Sequence, residues 1–261
     1  IEVKLLGYRT SKREITTVAG KTLELNFELT VDAISLDEVV TTANRSQTLR
    51  REAPALVNVV DTKTFEVTNS ACLSHGLNFQ PGVRTEDNCQ NCGFSQVRIN
   101  GLDGHYSQIL IDSRPVFSSL NGIYGLEQIP ANMIDRVEVV RGGGSALYGA
   151  SAIGGTINVI TKEPLRNSAE LAHTITSING KGGYENNTTA NASLVTEDGK
   201  VGFYVYGQHH YRPGYDHDGD GYTELPNLRN QTVGFSSFYK FSSSTMFTLP
   251  HFHPPLVLNT L

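Results

Sequence analysis

Ile134-Asp135-Arg136-Val137-Glu138-Val139-Val140-Arg141-Gly142-Gly143-Gly144-Ser145-Ala146-Leu147-Tyr148-Gly149, followed by Ala152-Ile153-Gly154-Gly155-Thr156-Ile157-Asn158-Val159-Ile160-Thr161-Lys162, is the stretch whose reading decides the fold. β-Branched residues dominate Asp135–Arg141 and Thr156–Thr161, which therefore read as two strands. Between them lie three glycines, a helical or irregular segment Ser145–Ala152 and a second glycine pair. Such glycines supply positive-φ turns and close backbone approach, as a tightly wedged domain requires. A phosphate-cradling loop is the rival reading, but no Lys-Ser/Thr follows the glycines, so nucleotide binding is rejected. Pro130 and Asn132, just ahead of Met133-Ile134, suit a short helical turn feeding the first strand.

Working outward, strand signals recur at Val57–Val60, Gln96–Asn100 and Gln108–Ile111, with a helical or irregular stretch over Thr64–Gln80. Residues 50–165 thus form one α+β domain of ordinary size. The whole chain of 261 residues has no apolar run near the roughly 18 residues a membrane helix needs. Lys+Arg 21 against Asp+Glu 26 with no block of like charges gives no basis for binding nucleic acid. The 3 cysteines are too few for a disulfide framework.

Here a resemblance becomes specific. Val97-Arg98-Ile99-Asn100-Gly101, Ile109-Leu110-Ile111-Asp112-Ser113-Arg114-Pro115-Val116, Ile134 to Gly142, Ser145-Ala146-Leu147-Tyr148-Gly149 and Ala152 to Lys162 occur in the order and spacing of the TonB-dependent receptor plug. Ser113 departs from the usual Gly, so a tighter turn is expected after Asp112. The resemblance implies a mixed plug sheet, and it implies that Arg136, Glu138 and above all Arg141 pair with charged groups of a surrounding barrel wall, against a reading as plain surface charges.

Residues 1–33 give three short β signals, Ile1–Leu6, Glu14–Val18 and Leu23–Leu29. With Leu6-Gly7-Tyr8 they resemble the C-terminal part of the carboxypeptidase-regulatory-like β-sandwich that precedes such receptors in the Bacteroidetes. No leader segment precedes Ile1, so further N-terminal residues are expected. Within the linker 34–49, Leu36-Asp37-Glu38-Val39-Val40-Thr41-Thr42-Ala43 is β-prone, without turn chemistry. Its Asp37, Glu38, Val39, Val40 and Thr41 resemble a TonB box, an extended segment able to add to another protein's sheet edge.

After residue 165 the pattern changes to loosely alternating segments: Ala169–Ile178, Asn187–Thr196, Lys200–Tyr211 and Gln231–Phe241. Their length and weak hydropathy suit about four antiparallel strands of a transmembrane β-barrel over 166–245. Asp198-Gly199 reads as a tight hairpin turn and Ser242–Ser244 as a short connection. The long loop Arg212 to Asn230 falls at the opposite end, the asymmetry of outer-membrane barrels. A plugged barrel of roughly 22 strands needs about 220 strand residues, more than the 96 residues (261 minus 165) that follow the plug, so an N-terminal fragment unable to transport alone is expected. Residues 246–261 are expected to form an irregular tail, either non-native or ordinarily disordered, because Pro250, Pro254 and Pro255 break any ladder.

Asp216-His217-Asp218-Gly219-Asp220-Gly221-Tyr222-Thr223-Glu224 begins like an EF-hand loop but has Asn227 at the twelfth position. Asp216, Asp218, Asp220, the Tyr222 carbonyl and Glu224 are therefore candidate calcium ligands, against a plain solvated acidic turn. Cys89 and Cys92 are a candidate local disulfide, with metal or redox roles as weaker rivals; Cys72 reads as a small buried residue. No catalytic constellation is present. The resemblance implies a receptor of the Gram-negative outer membrane, its plug and N-terminal domain on the periplasmic side. Its implied partners are TonB, membrane lipid and a scarce nutrient such as an iron siderophore, heme or cobalamin. The alternative is a soluble periplasmic or surface ligand-binding module.

Overall fold

A computed structural model describes residues 2–3, 11–15, 25–28, 39–43, 48–89, 94–115, 126–180, 183–242 and 245–253. In chain order the elements begin with β1 (Glu2–Val3), β2 (Ser11–Lys12), β3 (Val39–Val40), β4 (Thr48–Leu49), β5 (Val57–Asp61), α1 (Thr62–Val67), α2 (Leu73–Leu77), β6 (Val83–Cys89) and β7 (Phe94–Ile99). Next come β8 (Ser107–Ile111), β9 (Arg114–Pro115), β10 (Ile134–Arg141), α3 (Ser145–Tyr148) and β11 (Gly155–Thr161). The chain then runs through β12 (Ser168–Ile178), β13 (Gly183–Val195), β14 (Val201–Arg212), β15 (Leu228–Lys240) and β16 (Met246–His253).

β10 and β11, the two strands of the deciding stretch, sit at the middle of a sheet ordered β5-β10-β11-β8-β9. β10 is antiparallel to both β5 and β11, whereas β11 runs parallel to β8, so the sheet is mixed. The strand-to-helix passage is set locally: Asp61 ends β5 and caps α1, its carboxylate accepting from the Thr64 N–H at 2.9 Å. Asp112 and Ser113 both take positive φ, 47° and 64°, in the turn joining β8 to β9. The departure from Gly at Ser113 is thus accommodated in the left-handed region, with Ser113 N–H held by Asn158 Oδ1 at 2.9 Å.

Alternation along β10 splits its side chains between two faces. Val137 and Val139 enter the main core with Phe65, Leu73, Leu77 and Ile157. Glu138 and Val140 point the other way, and Val140 packs with Val40, Ala43 and Val57. The second face is therefore covered by the segment around β3, which lies ahead of the domain start expected at residue 50.

β12 to β16 form a second sheet, each strand antiparallel to the next in chain order. β12 to β15 are 11, 13, 12 and 13 residues long, sufficient for tilted strands to cross a hydrocarbon layer. Burial on this sheet is inverted. Gln208, His210, Asn230, Thr232 and Ser236 are buried toward the plug, while Leu171, Leu194, Val201, Phe203 and Val233 are exposed. Such an outward apolar face matches the lipid side of a barrel wall. The Asp198-Gly199 turn has Gly199 at φ 64°, as a tight hairpin requires. Asn167, on the link leaving the plug, accepts the Val195 N–H at 2.6 Å, so plug exit and this turn share one end of the sheet. The long loop after β14 lies at the other end.

Two expectations are corrected. Residues 246–253 are not irregular: β16 pairs with β15 from Lys240↔Met246 to Val233↔His253, with Pro250 opposite Ser236. β16 is the edge of the described sheet, where a proline's missing N–H need not leave a second neighbour unpaired. At the other end, Leu25 to Glu28 lies in no ladder, for want of a partner strand among the described residues. β1 and β2 pair at Glu2↔Lys12; the rest of the expected sandwich strands, and Asp37, Glu38 and Cys92, lie largely or wholly outside the described residues.

Candidate functional site

The site is a seam with three parts: the seat of the 39–43 segment, the contact between plug and wall, and the acidic loop at the far end of the wall.

Glu138 is fully buried, and its Oε2 accepts four hydrogen bonds from the segment. Thr41 N–H donates at 2.8 Å and Thr42 N–H at 2.9 Å, and the Thr41 and Thr42 hydroxyls donate at 3.3 Å and 2.6 Å. Its other oxygen, Oε1, takes the Arg136 guanidinium at 3.0 Å. A carboxylate removed from water is tolerated only with this degree of pairing. Thr42 is 1% exposed; its hydroxyl also accepts from Asn158 Nδ2 at 3.0 Å, and its carbonyl accepts from the Tyr148 hydroxyl at 3.0 Å. Every polar group of Thr42 is thus held, by β10, β11 and α3. Val39, one step beyond the buried Val40, is 41% exposed.

Of the three residues expected to face barrel charges, Arg136 and Glu138 have partners within this chain. Arg136 and Glu138 pair with each other, Glu138 also holds Thr41 and Thr42, and Arg136 also pairs with Asp135 at 2.9 Å. Arg141 is exposed and its guanidinium lies over Gly82 at the start of β6. The reason is alternation: Arg136 and Glu138 share the β10 face that the N-terminal segment covers.

The wall grips the plug through neutral hydrogen bonds to main-chain carbonyls. Tyr204 hydroxyl donates to Asn132 O at 2.7 Å and Gln208 Nε2 to Ala71 O at 2.9 Å. Asn230 Nδ2 donates to Glu127 O at 2.8 Å and the Thr232 hydroxyl to Gln128 O at 3.1 Å. In return Asn132 Nδ2 donates to Gly207 O at 3.1 Å. The two plug segments reached are themselves joined, Leu73 N–H to Ile129 O at 2.9 Å and Ala131 N–H to Ala71 O at 3.1 Å. None of these wall residues was singled out from sequence as a plug contact; the signal available was the polar alternation Tyr204, Tyr206, Gln208 on β14.

Beside this ladder lies a buried titratable group. His210, fully buried on β14, is hydrogen-bonded through Nε2 to Glu185, and its ring lies edge-on to that of His75 at 6.5 Å. Cys72, buried as expected, is hydrogen-bonded with Ser74 at 3.1 Å. Neighbouring Cys72 pushes the His75 pKa up to about 9 by charge and hydrogen bonding, with Glu185 and Glu127 adding to the shift against burial.

In the loop, the carboxylate oxygens of Asp216, Asp218, Asp220 and Glu224 lie within 4.8 Å of one another. Asp216 is held below the usual carboxylate range by the N–H groups of Gly219 and Gly221, at 2.6 Å and 2.9 Å. Glu224 accepts the His217 N–H at 2.5 Å, and paired Tyr215 and Leu225 close the loop's base. Four like charges this close favour a hard cation among oxygen ligands.

Comparison with known proteins bears on the whole assembly. Residues 50–156 match the family model of the TonB-dependent Receptor Plug Domain. The chain is 36% identical over 125 residues to the vitamin B12 transporter BtuB of Vibrio vulnificus, covering 48% of this chain and 20% of that protein. It is 28% identical over 165 residues to BtuB of Vibrio cholerae, covering 63% of this chain and 26% of that protein. The chain thus spans about a quarter or less of these relatives' length. The fold matches the siderophore receptor PirA of Acinetobacter baumannii, with TM-score 0.64 and 22% identity, over 75% of this chain and 31% of that one. It also matches the alcaligin outer-membrane receptor FauA of Bordetella pertussis, with TM-score 0.62 and 21% identity, over 81% and 34%. Plug sheet, inverted wall and matched motifs agree: residues 50–156 are a TonB-dependent receptor plug domain, and the strands that follow share the fold of the adjoining barrel wall in the solved receptors.

Proposed function

We propose that the protein to which this chain belongs is an outer-membrane receptor that binds a scarce nutrient outside the cell and admits it when TonB pulls on the plug. The observation that carries this reading is a plug docked on a sheet whose polar face is buried and whose apolar face is exposed. Cobalamin and iron siderophores are the leading ligands, since the relatives are named as a vitamin B12 transporter and siderophore receptors. Heme rests on the sequence resemblance alone. The shared end of plug exit and short turns supports a periplasmic plug and an extracellular long loop. The exposed Val39 supports the 37–41 segment as the strand offered to TonB. The acidic loop supports calcium as an ordering ion of the outer face. A soluble binding module is disfavoured, because its wall would expose a broad apolar face to water.

Uptake of labelled cyanocobalamin and of a panel of ferric siderophores, measured in cells with and without TonB, tests the reading. One of these ligands should accumulate only when both receptor and TonB are present. Uptake that persists at full rate without TonB would sink it.

A further inference from the structure

We infer that Thr41 and Thr42, gripped by Glu138, with Asn158 and Tyr148 holding Thr42, are the anchor at which a pull on the N-terminal segment first enters the plug, and that its release precedes any opening of the plug sheet. The inference rests on the coupling reading above for its use, but its geometry is independent of that reading.

Three observations carry it. The segment is stowed: Val40 and Ala43 are 0% and 6% exposed and pack on Val57 and Val140, whereas Val39 at 41% marks where the chain emerges. The hold is concentrated in two adjacent residues: Thr41 gives its N–H and hydroxyl to Glu138, and the N–H, hydroxyl and carbonyl of Thr42 are all engaged. The partners come from separate elements, Glu138 on β10, Asn158 on β11 and Tyr148 on α3. Tension applied ahead of Val39 therefore reaches Thr41 two residues on and Thr42 next to it, both fixed to Glu138. It is delivered to β10, the strand flanked by β5 and β11, rather than to an edge of the sheet.

The hold is also releasable. Hydrogen bonds across the segment are pulled one after another from the free end, so they need not break together, and water that follows the departing chain solvates the groups let go. The β10–β11 ladder behind them runs over Arg136↔Ile160 to Arg141↔Gly155 and resists as a unit. Glu138 acts here as a positioning residue: Arg136 fixes the carboxylate that fixes the segment.

The test uses the intact receptor in outer-membrane fragments open on the periplasmic side. Ala43→Cys reports the seat in a background where Cys89 and Cys92 are serine, and a membrane-impermeant maleimide modifies the reporter thiol. Tyr148→Phe and Thr42→Val each remove one part of the hold at nearly constant volume. Each should raise the modification rate of the reporter about tenfold, the scale of one net buried hydrogen bond. Hydrogen exchange over 155–161 should stay unchanged, which separates release of an anchor from loosening of the fold. Unchanged labelling in both variants would overturn the inference, as would faster labelling that appears only together with lost protection in β11. Should uptake prove independent of TonB while the reporter still responds, the anchor stands and the transport reading fails.

Discussion

Gly155→Ala tests the packing of the plug sheet at its tightest point. Gly155 opens β11 opposite Arg141 with φ 152°, a backbone conformation L side chains rarely adopt. A methyl placed there would stand 2.5 Å from the Val140 carbonyl oxygen and 2.8 Å from Ile99 Cδ1. The conformational part costs about 1–3 kcal/mol. Pushing the backbone of β10 aside costs about another 1–3 kcal/mol, as overpacking does elsewhere. Together they take a large share of the roughly 5–15 kcal/mol that holds a domain folded. Gly142→Ala is the control: its φ is 74°, yet a methyl there meets nothing within 4 Å. It should bear only the left-handed penalty, about 1–2 kcal/mol. The assay is hydrogen exchange on the intact receptor, followed over 134–141 and 155–161. Gly155→Ala should lose protection at least about thirtyfold, the factor that ~2 kcal/mol represents. If the two variants differ by less than about threefold, the backbone clash is not what demands glycine at 155.

Thr232→Val leaves the half-buried Gln128 carbonyl without this donor, and the loss of about 0.5–1.5 kcal/mol should appear as earlier plug release in a urea titration followed by exchange at 126–131. His75, with its pKa raised from 6.5 to about 9, contributes stability that is full below pH 6.5 and lost as pH rises through about 9. Seam stability should therefore fall over that window, and His75→Gln should flatten the profile; an identical fall in the variant would assign it to other groups. Calcium added to the intact receptor should release heat and protect the 213–227 loop from proteolysis, with Asp218→Asn weakening both effects. No calcium-dependent heat would remove the cation from the loop.

The plug was legible from sequence because its strands are rich in β-branched residues and its turns are forced by glycine. Ile134 to Gly142 and Gly155 to Lys162 announce two strands and a tight return without any tertiary information. The wall was legible as alternation, and the outward face of Val201, Phe203 and Val205 follows from it. What stayed hidden depends on partners distant in the chain. The β6 strand, Val83–Cys89, is polar along much of its length and becomes a strand only by pairing with β7. Pro250 argued against β16, and only the neighbouring β15 shows that the ladder survives there. The role of Glu138 was unreadable because its hydrogen-bond donors lie 96 and 97 residues away. Its charge was visible in the sequence, but its partners were not. The acidic loop, by contrast, is local, and its carboxylates converge as their spacing suggested.

The wall's habit of bonding to carbonyl oxygens of Ala71, Glu127 and Gln128 has an evolutionary consequence. A surface that reads main chain is indifferent to the side chains mounted on it, so those plug positions are free to vary without the wall having to follow. Plugs of related receptors should then be exchangeable between barrels wherever the path of these two segments is kept, even where their residues differ.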